Sequence, residues 1–149
     1  MIGCICMGFR VLVFGTFDII HPAHVIFLKE ARKLGEEGGE LIVVVALDSS
    51  VVKEKGKPPI FSAEERRFLV QALKPVNQTC LGYEDDRLRI IEELKPDLIA
   101  LGYDQKVDES ILKKELARRG VDVEIIRLKR YGDIKSSKIK RMVVERFKK

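Results

Sequence analysis

The only two histidines of the chain, His21 and His24, stand three residues apart in the stretch Gly15-Thr16-Phe17-Asp18-Ile19-Ile20-His21-Pro22-Ala23-His24. An imidazole titrates near neutrality and can donate a hydrogen bond to a phosphate oxygen. Before this stretch runs Phe9 to Phe14, an apolar segment of the length of a buried parallel strand. After it comes a helical pattern with Val25, Leu28, Ala31, Arg32 and Leu34 on one face. Both imidazoles therefore belong to the mouth of a strand-to-helix turn. In an open α/β sheet, ligands sit at the carboxyl end of the strands. A helix start there offers unpaired N–H groups and the positive end of its dipole, both of which favour phosphate. The chemistry this place suits is the handling of phosphate.

The rest of the chain supplies the elements that must position those residues. Strand-length apolar runs at Phe9–Phe14, Leu41–Ala46, Val76–Leu81, Leu98–Leu101 and Val123–Leu128 alternate with helical patterns. The helices fall at His24–Leu34, Ala63–Leu73, Asp86–Leu94, Glu109–Arg119 and Ser137–Phe147. Ser62 with Glu65 forms a capping box, and Gly35 and Gly120 stand where C-terminal caps belong. Such alternation predicts a Rossmann-like α/β fold: an open, parallel five-stranded sheet with helices on both faces, in a single domain. No Gly-x-Gly-x-x-Gly turn follows the first strand, which argues against ordinary dinucleotide binding. The connection from Asp48 to Ser62 is long, reads as a loop, and carries Lys53, Lys55, Lys57 and Pro58-Pro59.

Length and composition narrow the classes further. A chain of 149 residues makes one domain with a real core. The longest apolar run, Leu41 to Leu47, is too short to span a bilayer, and no basic stretch leads a long apolar core at the N-terminus. A cytoplasmic protein without membrane contact is expected. Residues 1–8 read as an N-terminal extension, with residues 9–149 as the domain. Cys4, Cys6 and Cys80 form neither a disulfide framework nor a metal site, and no other metal-ligating cluster is evident. The net charge of +5 is uneven: Arg127 to Lys149 carries ten Lys or Arg against two acidic residues. That asymmetry predicts an anionic ligand. The tail lacks interleaved aromatics for base stacking beyond Tyr131 and Phe147, which favours a small phosphorylated ligand over nucleic acid.

Gly15-Thr16-Phe17-Asp18 followed by His21-Pro22-Ala23-His24 resembles the nucleotidyltransferases with a His-x-Gly-His signature. Ser136-Ser137-Lys138-Ile139 resembles their second signature, a Ser/Thr pair followed by Lys or Arg. The resemblance runs from Phe9 to the last helix. Within that superfamily the chain is most similar to the small archaeal FAD synthases, through Asp48-Ser49 with its Lys-rich loop, Leu73-Lys74-Pro75-Val76 and Leu101-Gly102-Tyr103-Asp104-Gln105. One position departs: Ala23 stands where the signature has Gly, and its methyl could crowd the ribose or α-phosphate.

The resemblance implies transfer of a nucleoside monophosphate from a triphosphate to a phosphate acceptor, by direct in-line attack at the α-phosphorus. Catalytic roles fall to His21, His24 and Lys53. His24 would donate to an α-phosphate oxygen and His21 to the bridging and β-phosphate oxygens. Thr16, Phe17, Asp104, Tyr131, Ser136, Ser137 and Lys138 join the two histidines in binding the nucleotide. Lys57 and Arg66 would serve the acceptor or triphosphate side, Arg66 being preferred over its neighbour Arg67 by helical facing. Asp18 orients the turn or acts through water on a metal, the structural role being preferred. Mg²⁺ would accompany the triphosphate rather than occupy a protein cage. The expected substrates are ATP and FMN. A CTP-dependent enzyme acting on glycerol 3-phosphate or a related polyol phosphate is the alternative, and a non-catalytic nucleotide or nucleic-acid binder is a second one. Members of the family often dimerise, which leaves a homodimer open.

Overall fold

The structure is a computed structural model that describes residues 8–149. Eleven elements follow one another among these residues: β1 (Arg10–Gly15), α1 (Pro22–Lys33), β2 (Glu40–Val45), α2 (Asp48–Lys55), α3 (Ala63–Gln71), β3 (Gln78–Leu81), α4 (Arg89–Leu94), β4 (Leu98–Leu101), α5 (Glu109–Arg118), β5 (Glu124–Arg127) and α6 (Ser136–Phe147). The strands form one sheet in the order β3-β2-β1-β4-β5, and every pair is parallel. This is the expected Rossmann-like architecture. The chain leaves β1 toward β2 on one side and returns to β4 on the other, so the topological switch point lies between β1 and β4.

Alternate side chains of the central strands feed two cores. Val11, Val13, Leu41, Val43, Val45, Leu98 and Ala100 face Leu28 and Ala31 of α1 and Val70 of α3. Leu12, Ile42, Val44, Ile99 and Leu101 face Ile90 and Ile91 of α4 and Leu116 of α5. Strands buried on both faces need no polar alternation, which is why they read as unbroken apolar runs. Each fully buried Leu, Ile or Val contributes about 1.5–3 kcal/mol relative to exposure. These two cores flank β1 and β4, which pair through Val11–Leu98 and Leu12–Ile99.

Local chemistry sets the element ends. Pro22 opens α1 at its first position, where a missing N–H costs nothing, two residues before the predicted start. The capping box of α3 is present: Glu65 N donates to Ser62 Oγ at 3.2 Å and Ser62 N to Glu65 Oε1 at 3.2 Å. Gly120 (φ +78°) caps α5 in the left-handed conformation as expected, but Gly35 does not cap α1. There Glu36 turns left-handed (φ +54°), and Gly35 is small because a Cβ would lie 3.3 Å from the Phe9 carbonyl oxygen. β3 starts at Gln78 rather than Val76, because Asn77 braces β2 first, its Oδ1 accepting from Leu41 N at 2.8 Å.

The main correction is α2, which occupies half of the connection read as a loop. It buries only Val51, so no apolar stripe betrayed it, and Gly56 (φ +75°) ends it. The proposed extension falls mostly on residues 1–7, outside the described residues. Its last residue, Gly8, lies against the backbone of Gly38 and Gly39. Among the described residues no helix is long and apolar enough to cross a membrane.

Candidate active site

The turn from β1 to α1 is built around a left-handed residue. Phe17 has φ +51° and folds its ring back beneath Gly15, where a Cβ would lie 2.7 Å from Phe17 Cζ. Glycine at 15 is what permits the fold-back. A left-handed residue in a turn is one way successive backbone N–H groups come to face an anion, the role expected of Thr16 and Phe17. Asp18 follows, buried, with its carboxylate accepting from Ile60 N (2.9 Å), Phe61 N (3.0 Å) and Lys140 Nζ (2.6 Å). Burial opposes its charge, but the Lys140 and backbone hydrogen bonds outweigh that and hold its pKa below the usual carboxylate value. Asp18 thus takes the structural role: it ties the segment after α2 and the α6 helix to the turn.

His21 is the N-cap of α1, in an extended conformation, and its backbone N–H donates to His24 Nδ1 at 3.3 Å. The two imidazoles stack, centroids 3.7 Å apart and planes 21° from parallel, with the Phe17 ring 5.2 Å from His24. Burial lowers the His24 pKa to about 4, helped by the nearby charges of His21 and Lys55. Burial lowers His21 as well. Both rings are therefore neutral at pH 7. Because Nδ1 of His24 is an acceptor, its proton resides on Nε2, which makes that nitrogen a donor. His21 Nδ1 is buried with no hydrogen-bond partner among the described residues. A buried unpartnered nitrogen calls for a ligand atom or water.

These rings open onto a cleft of about 1170 Å³ lined by residues from nearly every loop at the carboxyl end of the sheet. Thr16, Phe17, His21, His24, Lys57, Asp104, Tyr131, Ser136 and Ser137 all border it. The structure thus brings nine of the expected site residues together. Three others do not reach it. Arg66 is fully buried outside the cleft: Nε donates to Phe61 O at 3.0 Å, one terminal nitrogen to Thr16 O at 2.8 Å and the other to Asp48 Oδ1 at 2.6 Å. Fully buried and tied to these three acceptors, it positions the Thr16 turn, while Arg67 pairs with Glu64 at 3.0 Å. Lys53 is exposed and turned away, because two residues along a helix amount to roughly 200° of rotation. Lys55 is the α2 lysine in the cleft wall. Lys138 likewise points elsewhere on α6, while Lys140 and Arg141, one turn after Ser136 and Ser137, line the cleft.

Other contributors were not singled out from the sequence. Gln105 accepts from Gly102 N at 2.6 Å and donates to Phe14 O at 3.2 Å. Arg127, at the end of β5, pairs with Glu109 at 2.7 Å and donates to the carbonyls of Gly102 (2.8 Å), Gln105 (2.9 Å) and Val107 (2.6 Å). Together they fix the loop that carries Tyr103 and Asp104. Asp104 lies 3.8 Å from Lys135, and Ser136 Oγ donates to Ile19 O at 3.1 Å, docking the start of α6 on the β1–α1 turn. The basic segment Arg127–Lys149 gave a signal for Arg127, Lys135, Lys140 and Arg141 as charges, and Gln105 stood in the Leu101–Gln105 stretch; nothing local flagged the clamp that Arg127 and Gln105 make. Ala23 sits at the second position of α1, where alanine fits helical geometry. Its methyl borders the cleft, 3.9 Å from where a Cβ on Gly132 would lie.

Fold and site together define a Rossmann-like α/β protein with a stacked pair of imidazoles bordering a large cleft at the carboxyl end of its sheet. Residues 12–142 match the cytidylyltransferase-like family, and the chain belongs to it. It is 52% identical to the FAD synthase of Aciduliprofundum boonei over 124 residues, covering 83% of this chain and 80% of that one. With the FAD synthase of Korarchaeum cryptofilum the identity is 50% over 141 residues, 95% of each chain. A crystal structure described as the lipopolysaccharide core biosynthesis protein of Thermoplasma volcanium superposes with a TM-score of 0.79 at 44% identity. That match covers 85% of this chain and all of the other.

Proposed function

We propose that the chain is an FAD synthase, an ATP:FMN adenylyltransferase that transfers AMP from ATP to FMN and releases pyrophosphate. The observation that carries this is a pair of stacked, neutral imidazoles facing a cation-lined cleft, in a chain half identical to FAD synthases over most of its length. A phosphate-monoester oxygen of FMN attacks the α-phosphorus, the new P–O bond forms, and the α–β bridging bond breaks as pyrophosphate leaves. The attacking phosphate is already anionic at neutral pH, so no general base is needed. The protein aligns two anions and stabilises charge on the pentacoordinate phosphorus.

In this reading His24 donates Nε2–H to a non-bridging α-phosphate oxygen, and His21 serves the bridging and β oxygens. Lys55, Lys57 and Arg141 spread positive charge along the triphosphate and acceptor phosphate, beside Lys140 in its pair with Asp18. Ser137 and the first N–H groups of α6 form a second anion cradle. Asp104 takes the ribose hydroxyls and Tyr131 covers the nucleoside. Mg²⁺ accompanies ATP as the MgATP substrate in this reading, held mainly by the phosphates. A cytoplasmic setting, where both substrates are available, belongs to the same reading. So does a homodimer, carried by the family resemblance.

Replacing His24 by Ala tests catalysis against mere binding. Loss of one preorganised donor lowers kcat about 100- to 1000-fold, with ATP affinity, read by calorimetry, changed only a few-fold. Unchanged turnover would remove His24 from the mechanism. No turnover in the wild type, with ATP still bound, would favour the non-catalytic binder.

A further inference from the structure

We infer that the apolar slot between α4 and α5 is the isoalloxazine site, a reading that rests on the proposed FAD synthase activity. The cleft has two unlike walls. On the α1 face of the sheet stand the imidazoles, the Lys129–Lys135 segment and the start of α6, docked on the β1–α1 turn through the Ser136 Oγ–Ile19 O bond. That wall is polar and cationic. On the opposite face the lining changes character: Phe14, Leu88, Ile91, Leu101, Val107 and Leu112 border the same cleft. Leu88 and Ile91 belong to the α4 side, Leu112 to α5, and Phe14 and Leu101 end β1 and β4 between them.

Volume and shape support two ligands. Sites for one drug-sized molecule run roughly 300–1,000 Å³, and this cleft is larger, at about 1170 Å³. In-line displacement puts the attacking oxygen opposite the leaving one. A triphosphate lying on the imidazoles and the α6 start therefore sends its acceptor across the cleft, toward the other wall. That wall offers aliphatic faces to a flat tricyclic ring. Phe14, Leu88 and Leu112 are only half-buried and Val107 is 37% exposed, so apolar surface remains for a ligand to cover. Arg87, also in the lining, gives the slot one charged rim residue beside polar ring atoms. A polyol phosphate would leave the slot unfilled. The slot is thus the feature of this chain that selects a flavin acceptor.

The test first establishes FAD formation by the wild type and then compares Val107→Asp and Leu112→Ala. Val107 is the exposed member, so a carboxylate there is tolerated by the fold but opposes an apolar ring. The expected result is a rise of about 10-fold or more in KM for FMN in both variants, the scale of lost apolar contact in a binding pocket. KM for ATP should stay within about 2-fold, since no contact to ATP is removed. Difference spectra of FMN, recorded with a non-reacting α,β-methylene ATP analogue, should show the structured visible band of a flavin in apolar surroundings, weakened in both variants. A wild type that makes FAD while both variants keep their KM for FMN overturns the slot alone. A rise in KM for ATP with FMN unaffected assigns the slot to adenine and also overturns it. Absence of FAD from the wild type overturns both this assignment and the function on which it rests.

Discussion

The His24 ring is held in one tautomer by a single contact, the His21 N–H on Nδ1 at 3.3 Å. Its pKa near 4 and the lowered pKa of His21 follow from burial, to which the nearby charges of His21 and Lys55 add at His24. A bound triphosphate brings negative charge against both rings and raises both values. ATP binding near pH 6 should therefore take up protons, measurable by calorimetry in buffers of differing ionisation enthalpy; proton release would contradict this. The free protein carries the complementary signature. Above pH 6.5 neither folded nor unfolded His24 is charged. As pH falls below 6.5 the unfolded chain binds a proton that the folded one refuses until about pH 4, so stability declines across that window. Thermal unfolding should show the decline, and His24→Asn should flatten it. Asp18 acts in a lower window, its stabilisation present above the ordinary carboxylate pKa of 3.8 and lost as pH falls through its depressed value. The histidine pair was legible in the sequence because its spacing and place are local properties. The lysine that faces it was not: Lys53 and Lys55 are distinguished only by rotation about a helix whose existence the pattern did not reveal.

At the scale of elements, the β1–α1 turn is held from below by a fully buried arginine. Arg66 joins Thr16 O, Phe61 O and Asp48, and so couples β1, the segment before α3, and α2. Replacing it by Ala leaves the Thr16 and Phe61 carbonyls without this partner and returns the half-exposed Asp48 carboxylate to water. At about 1–3 kcal/mol for each buried unsatisfied group, the loss should be roughly 3 kcal/mol by denaturant unfolding. Arg66→Lys should recover little, since one ammonium cannot span three acceptors set in a fork. Full recovery by lysine would return Arg66 to the role of a simple charge. Helical facing correctly turned Arg66 inward, but burial could not be read from facing alone, and its partners lie 5, 18 and 50 residues away in sequence. Strands were legible because their two-sided burial writes continuous apolar runs. The α2 helix buries one valine, and the Arg127 clamp on the Gly102–Val107 loop depends on tertiary contact.

Across the whole molecule, the sheet places its switch point beneath one large cleft with a cationic wall on one side and an apolar wall on the other. The uneven charge of the sequence acquires a location here: Lys129, Lys135, Lys140 and Arg141 of the basic segment all border the cleft. Clustered cations in a concave site with low-dielectric walls attract anions more strongly than the same charges dispersed. Architecture and phosphate chemistry were thus legible from alternation and motif. The division between two substrates was not, because it arises from residues of β1, α4, β4 and α5 that meet only in the fold. The most direct measurement is pyrophosphate release with Mg²⁺, comparing ATP with CTP, each offered FMN or glycerol 3-phosphate, with flavin products separated by chromatography. The account predicts release with ATP and FMN and the matching appearance of FAD. Release confined to CTP and glycerol 3-phosphate would contradict the substrate assignment, and no release from any pair would contradict the adenylyltransferase itself.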